Sequence, residues 1–225
     1  MSIIFFCSCD RNYTFTYPNT AEVHEQVFGI DDTIPSINID FSINLRETFN
    51  QIDSNFSYDI CHLLVPFKHK LSSNKPIKFF IIKDCPILGI PCSFGPEFRI
   101  NLNSSGQIMI NSELVSNSDQ IPYLMVTEFP QERYSKHWVE IKWMTKTPVD
   151  TLEKVFQQVR FGYLKTYQKM AKEKFENRSF YNITQSERDS ILSELPFRIV
   201  LDVGRFGYPS PPLPRNELPT IISSK

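Results

Sequence analysis

Glycine is scarce in this 225-residue chain, with seven residues that never fall next to one another. No Gly-rich loop for cradling a phosphate is present, and no Gly-Xaa-Ser-Xaa-Gly elbow for a serine nucleophile. Cysteine is also sparse: Cys7, Cys9, Cys61, Cys85 and Cys92 include no pair at the two-to-four-residue gap of a metal knuckle. The four histidines, His24, His62, His69 and His137, are spread over four separate elements, so neither a zinc site nor a general base with a nameable nucleophile emerges. The expectation is a protein that is not an enzyme and carries no metal or cofactor. No apolar run approaches the ~18 residues of a membrane span. The apolar start Met1 to Phe6 lacks a basic leader and reads as a first strand, so no membrane is expected and the cysteines are expected to be reduced.

What the chain has is aromatic and β-branched residues. Hydrophobic residues make up 41% of it and aromatics 13%, with nineteen Phe, enough for a full core and biased toward strands. The expected fold class is mainly β, an immunoglobulin-type β-sandwich with C-terminal helices. One domain over 1–205 and a Pro-rich tail over 206–225 are expected.

The net charge of −1 hides an uneven distribution: residues 1–60 hold nine acids and two bases, while 131–180 hold eleven bases and six acids. A basic block rich in aromatics is a footprint for a polyanion, or else one solvated helix face.

Periodicity gives the elements. Thr20 to Phe28 reads as a short helix with Val23, Val27 and Phe28 on one face. Strands are expected at 34–43, 58–66, 77–83, 123–129 and 137–144, besides two short ones in 1–18. Between them, Glu97 to Leu102 and Gln107 to Asn111 alternate apolar and polar residues across Asn103-Ser104-Ser105-Gly106, a hairpin burying Phe98, Ile100, Leu102, Ile108 and Ile110. From Val149 the period becomes helical up to about Phe175, with Gly162 as a candidate break. A helix near 185–195, a strand at 197–203 and a polyproline-like Pro209 to Pro214 follow.

The stretch around the hairpin also resembles a known family. Pro91-Cys92-Ser93-Phe94, Arg99-Ile100-Asn101 and Gly106-Gln107-Ile108-Met109-Ile110-Asn111-Ser112 are similar, in order, to P-V-S-F, K-L-T-N and G-G-Q-I-M-L-N-S of the T-box transcription-factor family. Asp84 to Gly89, Ile34 to Ile39, Trp138 to Lys142 and Val149 to Leu152 are weaker matches in the same order. The resemblance implies an immunoglobulin-type sandwich that binds duplex DNA as a nuclear transcription factor, with a homodimer on palindromic sites as a further assembly. Loops would enter the major groove and a C-terminal helix would present aromatics to the minor groove.

On this alignment the DNA-facing residues are Lys142, Thr145 and Lys146, then Arg160, Phe161, Tyr163, Lys165 and Lys169, with Arg99 from the hairpin. Core packing is the alternative for Phe161 and Tyr163, and the wet face of the hairpin for Arg99. The family's paired arginines fall on Asp31 and Asp32, whose carboxylates repel phosphate. Either readout is altered, or the fold has lost DNA binding and serves protein interaction.

A different class fits residues 74–109. Asn74 to Ile77, Phe79 to Ile82, Cys85-Pro86 and Pro91 with Phe94 space like the central strands of ubiquitin-conjugating-enzyme variants, with Met109 where a catalytic Cys would stand. That resemblance implies a non-catalytic adaptor for ubiquitin or a peptide. The Pro-rich tail is a further candidate site for a protein partner.

Overall fold

In the computed structural model the described residues are 20–29, 31–43, 45–55, 65–72, 76–81, 98–129 and 138–201. The alternating hairpin sequence forms as expected: β3 (Phe98–Leu102) pairs antiparallel with β4 (Ile108–Ile110), and the five apolar residues that alternation assigns to one face are all buried. Its turn is built by Asn103, whose Oδ1 accepts from the backbone N–H of Ser105 at 3.1 Å and of Gln107 at 2.8 Å. Gly106 closes the turn at φ 79°, a left-handed value that a Cβ would strain.

Around this hairpin the described strands form one mixed seven-stranded sheet, in the order β1-β2-β7-β6-β3-β4-β5. The others are β1 (Val65–Lys70), β2 (Pro76–Ile81), β5 (Glu113–Val115), β6 (Val139–Trp143) and β7 (Ile199–Leu201). The four central strands, β2, β7, β6 and β3, run parallel, and antiparallel partners flank them on both sides. All three residues of β7 are buried, as parallel strands in mid-sheet require. The expected sandwich needs two facing antiparallel sheets. The described residues give one sheet and several helices, a mixed α/β arrangement.

The helices are α1 (Thr20–Phe28), α2 (Leu45–Asp53), α3 (Ile121–Glu128), α4 (Val149–Lys174) and α5 (Gln185–Glu194). In α4, Leu152, Val155, Phe156, Val159, Tyr163, Tyr167 and Met170 recur at helical spacing and are all buried. The Phe156 ring meets Phe79 of β2 edge-on at 4.8 Å, and Tyr163 meets Phe197, next to β7, at 4.9 Å. Gly162 does not break α4. A Cβ there would stand 2.3 Å from Met125 Sδ, so the missing side chain lets α3 pack directly onto α4. A capping box of Thr184 and Glu187 opens α5.

Two expected strands are corrected. Residues 123–128 belong to α3 and Phe129 caps it: Pro122 sits in its first turn, and Ile121, Met125 and Phe129 are buried at intervals of four, a helical period hidden in a short apolar run. Residues 34–43 bury Ile37, Ile39 and Phe41 alternately, as a strand would, yet pair only through an isolated bridge from Ser36 to Lys68. The strand expected at 58–66 is described only from Val65, where β1 begins. The elements expected in 1–18 and the tail from 206 lie outside the described residues.

Asn103 is fully buried, and its side chain satisfies two backbone donors. Asn103→Ala is expected to lower stability by about 2–3 kcal/mol, seen as a lower denaturant midpoint at unchanged m-value; a loss below about 0.5 kcal/mol would mean that water takes over its bonds.

Candidate functional site

The residues singled out in sequence do not converge on one surface. Arg99 on β3 and Lys142 on β6 both turn to the buried carboxylate of Glu140, at 3.5 and 3.0 Å. Register explains it, since Arg99 lies opposite Glu140 across the β3–β6 pair. The single carboxylate offsets one of the two charges, and the Arg99 side chain stays 36% exposed. Thr145 and Lys146 are exposed on the turn between β6 and α4, with Lys146 at φ 72°. That turn is held by Thr147, whose hydroxyl lies 3.0 Å from the carbonyl of Asn103.

Tyr163 is core, and its place among DNA-facing residues is corrected. It is wholly buried, its hydroxyl donates to the Arg198 carbonyl at 2.9 Å, and burial pushes its pKa up. An aromatic pinned at both ring and hydroxyl presents nothing to a groove. Lys169 reaches the Val126 carbonyl near the end of α3 at 3.4 Å, where an orphan helix carbonyl calls for a donor.

Arg160, Phe161 and Lys165 do share one surface. Phe161 is 49% exposed on α4 and Tyr123 is 66% exposed on α3. Lys165 bridges them, its Nζ 3.6 Å from the Tyr123 ring centroid and 4.9 Å from that of Phe161. One turn earlier the Arg160 guanidinium lies 4.4 Å from the Phe28 ring centroid of α1. Burial holds its pKa below the usual arginine value. Neither cation meets a carboxylate among the described residues; each is held by aromatic faces, which fix a charge without neutralising it. Lys146 precedes α4, whereas Lys165 lies about 24 Å along the helix axis, so these residues form no single contact strip.

Arg160 also stands between two cavities. One, of about 460 Å³, is walled by α1 and β1, with Lys68, Lys70 and Pro76 together with the acids Glu25 and Asp32. The other, of about 300 Å³, is lined by Leu71, Gln157, Phe161 and Leu164. His24, Phe28 and Arg160 line both. Contacts from α1 to α5 fix this wall: Gln26 donates to Asp189 at 2.7 Å and accepts from Arg188 at 2.7 Å. Sequence reading missed Phe28, Tyr123, Lys68 and Lys70 as site residues, because only the fold carries them to α4.

Among the described residues no group of three His, Cys, Asp or Glu side chains could hold a metal, and no helix is long and apolar enough to cross a membrane. No protein-family model matches the chain, and no curated protein matches it.

Beneath the larger cavity, His69 Nδ1 lies 3.1 Å from the Ile39 N–H and 3.3 Å from the Ile37 carbonyl. The neutral ring accepts from Ile39, replacing the strand partner that segment lacks. Protonation would turn that acceptor into a donor, and burial lowers the His69 pKa from its ordinary 6.5. The unfolded chain therefore binds a proton before the folded one does, and stability falls as pH drops through and below 6.5. Urea unfolding of wild type and His69→Gln between neutral and mildly acid pH should show a steeper loss in wild type; parallel curves would mean that His69 does not resist protonation.

Proposed function

We propose that this chain is a non-catalytic protein-interaction domain that binds a partner through the outer face of α4, which adjoins α1 on one part and α3 on another. The single observation that carries the reading is the ridge of Tyr123, Lys165 and Phe161, two large aromatics left in water with a lysine held between them. Aromatic side chains give large contact area at low entropic cost, and a cation prefixed on their faces adds recognition of negative charge. The reading agrees with the adaptor alternative drawn from the sequence, although it uses the helical face rather than the strand bearing Met109.

Duplex DNA binding, in the nucleus and through a divergent T-box domain of immunoglobulin type, is the second reading. What favours it is the unneutralised cation series Lys146, Arg160 and Lys165, with Phe161 still exposed. Against it stand the Glu140 pairing of Arg99 and Lys142, the burial of Tyr163, and Asp31 and Asp32 where the family carries arginines.

Selection from a displayed library of random peptides, run in parallel on wild type and on a Tyr123→Ser/Phe161→Ser double variant, separates the readings. The interaction reading expects peptides that wild type enriches and the double variant does not. Both side chains are exposed, so the double variant should unfold with wild-type stability. If no peptide is enriched, while duplex DNA is shifted with steep salt dependence that Lys146→Glu/Lys165→Glu reduces, the DNA reading replaces it.

A further inference from the structure

We propose that the two neighbouring cavities between α1, β1 and α4, which share the wall of Arg160, form a docking cleft for an acidic peptide segment, one in which a bulky apolar residue lies next to a carboxylate side chain. The inference rests on the interaction reading above and names what that face would take.

The smaller cavity supplies the apolar anchor site. Phe28, Leu71, Phe161 and Leu164 line its roughly 300 Å³, room for a Leu- or Phe-sized side chain. Arg160 is the wall it shares with the larger cavity. The guanidinium lies over the Phe28 ring and no carboxylate among the described residues meets it, so its N–H donors remain available to a ligand. A carboxylate bound to Arg160 therefore has to stand beside whatever fills the apolar cavity, which fixes the order of the two groups along the ligand.

The larger cavity argues that the chain runs on past Arg160. Beyond it lie Lys68 and Lys70, at the end of β1. Lys68 is only loosely tied, 3.9 Å from the fully exposed Asp32, and Lys70 is exposed. A ligand that ended in a free C-terminal carboxylate at Arg160 would leave Lys70, which no acid among the described residues meets, without a partner, whereas an internal acidic segment reaches both cations. The acids of the wall, Glu25 and Asp32, lie among exposed residues and set a preference for a few well-placed carboxylates over a uniformly charged chain.

Fluorescence anisotropy with short labelled peptides on the full chain tests this. The probe carries a central Leu flanked by Glu; its counterparts replace Glu by Gln, or Leu by Ser, or move the only carboxylate to the C-terminus. The Glu/Leu probe should bind at least about tenfold more tightly than each counterpart, roughly the worth of one charge-assisted hydrogen bond. Arg160→Gln should erase that preference, and the exposed Lys70→Glu, which leaves the guanidinium over Phe28 untouched, should weaken the probe several-fold. Lys172→Gln, an exposed cation of α4 outside the cleft, should bind as wild type does.

Equal binding of the Glu and Gln probes, or wild-type affinity in both Arg160→Gln and Lys70→Glu, would overturn the assignment. So would an Arg160-dependent shift of duplex DNA with no binding of the Glu/Leu probe, which would make the cleft a nucleic-acid site. If library peptides bind in a Phe161-dependent manner while Arg160→Gln leaves them unaffected, the cleft is wrong and the interaction reading stands. If no peptide binds at all, both fall.

Discussion

One face of one helix holds this fold in register. The buried stripe of α4 meets segments from distant parts of the chain, Phe156 against Phe79 of β2 and Tyr163 against Phe197 beside β7, and Tyr167 stacks on Phe180 of the turn that follows the helix. Burying each such side chain contributes about 1.5–3 kcal/mol. Tyr163 also donates to the carbonyl of Arg198, just before β7, so the shortest central strand is aligned by a side chain as well as by its neighbours. The buried side of α4 determines the outer one, because rotating the helix to free Tyr163 would carry Arg160 and Phe161 off the face they share with α1 and α3.

The sheet and the outer face of α4 hold their cations in two different ways. On the sheet, Lys142 and Arg99 share the one carboxylate of Glu140, which offsets one of their two charges. Arg160 and Lys165 are matched by rings, which orient the charge and shield one side of it while its donors stay open. A partner meeting the second kind finds side-chain entropy already spent and no carboxylate to displace.

Much of the frame was legible in the sequence. The hairpin 97–111 and its buried face, the helix from Val149 and the strand at 137–144 all follow from periodicity. What failed did so for identifiable reasons. Tyr123 to Phe129 is too short and too uniformly apolar for its period to be read, and only Pro122 hinted at a helix start. Ile34 to Ile43 alternates correctly, but the imidazole of His69 satisfies Ile39, a substitution that no local pattern reveals. The site was legible by halves. Arg160, Phe161 and Lys165 stand out as cations and an aromatic on a helix, yet what each does depends on Phe28 and Tyr123, brought in by separate elements.

The place of β7 has a consequence for how the chain is made. Strands β2 and β6 do not touch; each is hydrogen-bonded to β7 between them. Until Ile199 to Leu201 have been synthesised, the sheet exists as two separate pieces, each with an unfilled edge of a type that readily pairs with another molecule. Assembly must therefore wait for a segment far along the polypeptide, closing long loops first and exposing two sticky edges meanwhile. Among the described strands β7 acts as a keystone, and a nascent chain that stalls before it presents both unpaired edges at once.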